Sequence, residues 1–321
     1  MKYACIAGLD KKVAKLVLGT MIIHTDQAEK SSALLDAAFE LGYNTLDCAH
    51  VYGGGNSERM IGRWMEERGN RKDLVIATKG GHPNADRRRI TCHDITSDLE
   101  DSLARLRTDH IDIYMLHRDD PTRPVAEIMD CLASHVKAGK IKLIGVSNWE
   151  YERLREANEY AAAKGLPQIS ISSPNFGLAE QVASPWGEGC VSLGGAAMKP
   201  ARDWYEREHL PVFAYSSLAR GLFSGRVRPE GVARAVADGL LDQACARAYC
   251  HEVNIARLQR LFEMAGKLGV SVPQLALAYT LNHAMEVYPL VGAACAEELR
   301  DNLKALEINL SSRDGEWLDL G

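Results

Sequence analysis

What this 321-residue sequence lacks narrows it first. No run approaches the roughly 18 uninterrupted apolar residues of a membrane-spanning helix, and Met1 to Lys15 has no long apolar stretch of the secretory kind. A cytoplasmic protein without a membrane partner is therefore expected. The eight cysteines, Cys5, Cys48, Cys92, Cys131, Cys190, Cys245, Cys250 and Cys295, include no Cys-x-x-Cys pair and no Cys/His spacing typical of zinc. They read as reduced, mostly buried thiols, and no metal site is expected. A concentrated basic face is also missing: 38 Lys and Arg stand against 43 Asp and Glu, for a net charge of -5. Nucleic-acid binding depends on such a face, so no nucleic-acid partner is expected. The one basic run, Arg87 to Arg89, reads as a solvated loop rather than a phosphate site.

Apolar residues at 46% and charged residues at 25% fit a globular protein with a large core. Short apolar runs alternate eight times with longer segments of helical period. The strands fall at 16–18, 43–46, 74–78, 111–116, 141–146, 169–172, 212–214 and 287–290. Pro124 opens a helix whose face is Val125, Ile128, Leu132 and Val136, and Gly139 stops it. Ser97 and Glu100 have capping-box spacing ahead of Leu99, Leu103 and Leu106, and a further helix runs from Trp149 to Lys164, ending at Gly165. Eight βα units without a Pro/Ser/Gly-rich linker predict one α/β domain over residues 1–321, a parallel (β/α)8 TIM barrel. Long loops are expected after the sixth strand (184–202) and the seventh (219–251), at the end of the barrel where active sites are built.

Four titratable residues close successive apolar runs: Asp47, then Tyr52 five residues on, Lys79, and His117 in Tyr-Met-Leu-His. Barrel strand ends converge on one mouth, so these side chains can meet. Together they suit carbonyl reduction, which needs an acid to protonate the developing alkoxide. A tyrosine with a pKa of roughly 10 needs help to do this near neutrality. An ammonium at Lys79 favours the phenolate, Asp47 keeps that lysine charged, and His117 can donate to the substrate oxygen.

The ordered set resembles the aldo-keto reductase family across nearly the whole chain: Gly19-Thr20-Met21, Asp47 through Tyr52-Gly53, Ser57-Glu58, Lys79, His117, Gly145-Val146-Ser147-Asn148 and Ala214-Tyr215-Ser216. The resemblance implies Tyr52 as general acid/base, Lys79 as the partner lowering its pKa, Asp47 as countercharge and His117 as substrate orienter. It implies a nicotinamide dinucleotide, NADP or NAD, bound by Gly19, Thr20, Asp47, Ser147, Asn148, Ser173, Tyr215, Ser216, Ser217, Leu218, Gly221, Gly292, Ala293, Glu298 and Asn302. Ser147 and Asn148 would hold the carboxamide, Tyr215 would stack on the nicotinamide, and Ser216 to Gly221 would pass the pyrophosphate. Ser173 stands where the family usually has a glutamine.

Most members grip the 2′-phosphate of NADPH with basic residues after the last strand. Here Gly292, Ala294 and Glu298 occupy that segment, and an acid near the ribose accepts from a 2′-hydroxyl while repelling a 2′-phosphate. NAD(H) is thus expected to serve at least as well as NADP(H). Trp149, Trp186 and His82 are the candidate substrate contacts, and the small-molecule substrate is a carbonyl or alcohol, with sugars and polyols included. Two rival readings are a dinucleotide-binding regulatory barrel with little turnover and a lyase using Lys79 as a Schiff-base nucleophile. The sequence does not set an oligomeric state.

Overall fold

A computed structural model describes residues 1–321. After a short antiparallel pair, β1 (Tyr3–Ala4) and β2 (Val13–Ala14), come eight parallel strands. These are β3 (Val17–Gly19), β4 (Thr45–Asp47), β5 (Val75–Gly80), β6 (Ile111–Leu116), β7 (Ile141–Ser147), β8 (Ile169–Ser173), β9 (Val212–Ala214) and β10 (Val287–Val291). They close into a barrel in the order β10-β3-β4-β5-β6-β7-β8-β9. The expected (β/α)8 barrel is therefore observed, each predicted run lying on a strand. The chain divides into two compact units: residues 1–173 with 292–296, and residues 174–291 with 297–321. No helix is long and apolar enough to cross a membrane.

In the first unit, α1 (Ala28–Glu40), α2 (Asn56–Arg68), α3 (Cys92–Leu106), α4 (Val125–Lys137) and α5 (Tyr151–Lys164) follow successive strands. Each buries one stripe, as Leu99, Leu103 and Leu106 do for α3. The capping box of α3 is not Ser97 with Glu100. Thr91 caps, accepting from the Asp94 N–H, and Asp94 accepts in return from the Thr91 N–H. The helix starts earlier because Ile95 already belongs to the buried stripe, which leaves Ser97 exposed in mid-helix. Helices α2 and α3 approach closely at Gly62, where a Cβ would lie 2.2 Å from the Arg105 carbonyl oxygen. The missed β1–β2 pair is tied down by Lys11, which bonds the buried Asp112 at the start of β6 at 2.9 Å, while Arg71 holds its other oxygen at 2.8 Å.

The cysteine expectation needs correction. Cys92 in the first turn of α3 and Cys131 in α4 form a disulfide, their Cα atoms 5.6 Å apart. Of the six free thiols only Cys48 and Cys245 are buried. Packing of two neighbouring helices brings the pair together across 39 residues, a separation without a sequence signature. Alkylation in denaturant should count six thiols before reduction and eight after. Eight without reductant would contradict the bond.

The second unit holds α6 (Lys199–Glu208), α7 (Val232–Ala237), α8 (Gln243–Tyr249), α9 (Glu252–Leu268), α10 (Val272–Leu281), α11 (Ala296–Leu303), whose first residue belongs to the first unit, and α12 (Ser312–Leu320). Its core gathers Leu222, Phe223, Tyr249, Leu258, Leu261, Leu275 and Leu318. The expected loop at 219–251 carries α7 and α8, too short to show helical period in the sequence.

Candidate active site

Asp47 is the last residue of β4, paired in register with Gly19 of β3 and Ala77 of β5, and Lys79 lies two residues further along β5. The Lys79 ammonium donates to Asp47 Oδ1 at 2.6 Å and to the Cys48 carbonyl at 2.9 Å, with both side chains of the ion pair almost fully buried. Tyr52 reaches it through a turn that only glycine follows easily: Gly53, Gly54 and Gly55 all have positive φ, at 56°, 62° and 88°. A Cβ at Gly53 would also strike the His24 ring at 2.5 Å. The phenol oxygen lies 3.5 Å from the Lys79 nitrogen.

Burial pushes the Tyr52 phenol above its ordinary pKa, and the Lys79 charge pulls it down without offsetting burial. The expected lowering by Lys79 is thus present but outweighed. Loss of solvent outweighs one ammonium, and the Asp47 charge adds to the rise. Burial also opposes charge on Lys79, yet Asp47 and Tyr52 more than compensate and hold it above the usual lysine range. Burial raises Asp47 while Lys79 pulls it down. We place the shared proton on the lysine, because the charges of Asp47 and Tyr52 hold it above the usual lysine range while it donates to the Cys48 carbonyl. A protonated lysine is no nucleophile, which removes the basis for the Schiff-base reading.

His117 follows β6, its N–H bonded to the Gly80 carbonyl at 2.7 Å. Its ring stands edge-on to Tyr52, centroids 6.0 Å apart. Burial and the nearby Lys79 and Arg118 charges hold its pKa well below the usual imidazole value, so it is neutral at pH 7. Nδ1 is sealed without a partner. An unpaired acceptor is tolerated better than an unpaired N–H, so the ring proton belongs on Nε2. The four strand-end residues thus assemble a neutral phenol, an ammonium–carboxylate pair and a neutral imidazole donor.

Around them, the Thr20 hydroxyl donates to the Asp47 carbonyl at 3.0 Å and is itself bonded by Ser57. The Ser147 hydroxyl donates to the Ser173 carbonyl at 2.8 Å, and the Asn148 amide donates to Ser147 at 3.0 Å and to the His117 carbonyl at 3.3 Å. Asn148 holds a left-handed backbone, φ 61°. Ser173 Oγ is buried and unpartnered, a donor and acceptor short of a bond. Such an orphaned hydroxyl beside Ser147 and Asn148 fits a primary amide, which offers both complementary groups. Gly292 is exposed and Ala293 buried.

Within the second unit, Tyr215 and Ser216 are half-buried, and Asn175 bonds the Tyr215 carbonyl at 3.0 Å. Ser216, Ala219 and Arg220 all have positive φ in the turn that also contains Ser217, Leu218 and Gly221. The Ser217 hydroxyl donates to the Ala214 carbonyl at 3.1 Å. Asn302 is buried in α11. Glu298 is not a lone acid: Arg226, in the stretch after β9, donates to it at 2.7 Å. Arg226 and Arg228 also line a cavity of about 610 Å³ with Phe262, Ser271 and Asp301. The basic side chain beside Glu298 thus comes not from the segment after the last strand but from a residue 72 positions away in sequence.

The substrate candidates divide. Trp149 is fully buried, its indole N–H donating to the Arg118 carbonyl at 3.4 Å, and it packs rather than presents a face. Trp186 is 40% exposed, with the Arg220 guanidinium 4.0 Å above its ring. His82 stands edge-on to His117 at 4.8 Å. The 87–89 run is solvated in part but also clamps α3: Arg87 bonds Asp94 at 2.7 Å and Arg89 bonds Asp98 at 2.5 Å.

A barrel with this set of strand-end residues defines a class, and comparison with known proteins agrees. The model of the aldo/keto reductase family matches residues 15–319. The chain belongs to that family. It is 30% identical to YrpG, an uncharacterised oxidoreductase of Bacillus subtilis (strain 168), over 97% of this chain and 92% of that protein. It is 29% identical to an L-glyceraldehyde 3-phosphate reductase of Escherichia coli O157:H7, covering 95% and 87%. Its fold matches the thermostable aldo-keto reductase Tm1743, crystallised with the inhibitor epalrestat, at TM-score 0.73 and 25% identity over 99% of both chains.

Proposed function

We propose that the chain, as one barrel domain, interconverts a small-molecule carbonyl and its alcohol with NADP(H) or NAD(H), Tyr52 serving as general acid/base. The observation that carries this is the 3.5 Å contact of the half-buried Tyr52 with Lys79, itself paired to Asp47. When bound, a reduced nicotinamide supplies the hydride. Ser147, Asn148 and Ser173 would hold its carboxamide, Tyr215 its ring, and the Gly19–Thr20 and Ser216–Gly221 segments, with Gly292, Ala293, Glu298 and Asn302, the rest of the dinucleotide.

On this reading, the carbonyl oxygen accepts from Tyr52 O–H and from His117 Nε2–H. The Tyr52 proton moves to that oxygen as negative charge develops there, and the phenolate left behind faces the Lys79 ammonium. A raised phenol pKa keeps Tyr52 protonated through neutral pH, so the acid is always loaded for reduction. In the reverse direction Tyr52 must first lose that proton, and alcohol oxidation should rise with pH across the alkaline range. Reduced dinucleotide mixed with a panel of aldehydes and ketosugars should be oxidised. Binding without oxidation over the whole panel would instead support the regulatory reading.

Arg226 and Glu298 bear on which dinucleotide is used. Their charges cancel at 2.7 Å, so the site neither repels a 2′-phosphate nor refuses a 2′-hydroxyl. Arg226→Ala, which removes that positive charge from beside Glu298, should weaken NADPH binding about tenfold while changing NADH binding less than about threefold. Kd values from quenching of intrinsic fluorescence check this. Equal weakening of both would remove Arg226 from the choice.

A further inference from the structure

His82 follows β5 by two residues and is half-buried beside His117, ring centroids 4.8 Å apart and planes at 76°. Its Nδ1 lies 2.8 Å from the Pro83 carbonyl oxygen. A carbonyl only accepts, so Nδ1 must carry the hydrogen. Burial, with the Arg118 and Arg89 charges, holds the ring below its ordinary pKa, and it is neutral at pH 7. Nε2 is then a bare acceptor, and it is not among the sealed side-chain atoms that lack a partner. The three neighbouring rings, with centroids 6.0 Å apart for Tyr52 and His117 and 4.8 Å apart for His117 and His82, therefore carry two donors, Tyr52 O–H and His117 Nε2–H, and one acceptor, His82 Nε2.

We propose that His82 selects substrates with a hydroxyl on the carbon next to the reacting carbonyl, its Nε2 accepting that hydroxyl's hydrogen bond. The inference rests on the proposed carbonyl-reductase reading. The carbonyl oxygen takes the two donors, and the neighbouring hydroxyl meets the acceptor that the Pro83 carbonyl creates by fixing the tautomer. A substrate with only hydrogen or methyl at that carbon desolvates Nε2 and gives it no partner, the more costly arrangement. The selected class is the α-hydroxy aldehydes and ketones, which includes open-chain sugars. No proton moves to or from His82 in the reaction, so it is a specificity residue.

The test compares glycolaldehyde with acetaldehyde in the wild type, His82→Phe, His82→Met and His82→Gln, using reduced dinucleotide. The two aldehydes differ in hydration and intrinsic reactivity, so the quantity read is the change in their kcat/KM ratio between proteins. The ratio should fall roughly 10- to 100-fold in His82→Phe and His82→Met, which lack the acceptor. His82→Gln offers an amide oxygen near the Nε2 position and should recover most of it. An unchanged ratio in whichever apolar variant folds, judged by circular dichroism, would overturn the proposal while leaving the reductase reading intact. Wild-type protein that oxidises the dinucleotide with neither aldehyde nor any ketosugar would overturn both.

Discussion

Tyr52→Phe should lower kcat for carbonyl reduction by about 10²- to 10⁴-fold, the usual worth of a positioned general acid. That corresponds to roughly 3–5 kcal/mol of barrier. Dinucleotide affinity should stay within about twofold of wild type, because the phenol's partner in the protein is Lys79, at 3.5 Å, and the ring is retained. The loss should appear in kcat and kcat/KM alike, as expected for an interaction made in the transition state. Restoring activity with a more reactive aldehyde, without a matching gain in the wild type, would point to another acid. Equal turnover in the two proteins would remove Tyr52 from the chemistry.

Lys79→Met should cost both activity and stability. The substitution leaves the Asp47 carboxylate buried with its 2.6 Å partner gone, and breaking such a pair typically costs about 3–5 kcal/mol. The sign of the pH dependence follows from burial. Without the ammonium, Asp47 in the folded protein titrates above its unfolded value, so its own contribution to the variant's stability is greatest below the unfolded carboxylate range and is lost as pH rises through the folded pKa. Denaturant melts at acid and neutral pH should show the deficit growing towards neutrality. The double variant Asp47→Leu/Lys79→Met removes both charges and should recover most of the stability but none of the reduction. A double variant that regained turnover would separate the ion pair from catalysis.

The barrel was legible because strands buried in a parallel sheet read as continuous apolar runs, and the eight predicted runs coincide with β3 to β10. The boundaries slipped where function begins. Gly19, Asp47, Lys79, Ser147 and Ser173 all belong to hydrogen-bonded strands, yet each apolar run ends just before them. Polar groups at strand ends break the apolar pattern without breaking the ladder, so residues that look like loop are held as firmly as the core. For the four candidate catalytic residues, order and residue type were enough to bring them together.

What stayed hidden depends on distance and burial. Arg226 meets Glu298, and Cys92 meets Cys131, only after the chain has folded, and neither pair has a spacing that marks it. Trp149 and Trp186 look alike as letters, but one is sealed and the other carries an arginine on its face. The direction of the Tyr52 shift needed the degree of burial, which composition cannot supply. His82 was visible as a neighbour of Lys79, while its tautomer was fixed by a carbonyl one residue away.

The most direct test of hydride transfer assisted by Tyr52 follows an isotope. Wild-type protein is given glycolaldehyde and nicotinamide dinucleotide carrying deuterium at the hydride-donating carbon, and the alcohol is examined by mass and NMR. Deuterium on the former carbonyl carbon, with none transferred at a comparable rate by Tyr52→Phe, is the predicted result. An alcohol without deuterium at that carbon, or no consumption of reduced dinucleotide with any aldehyde or ketosugar, would contradict it.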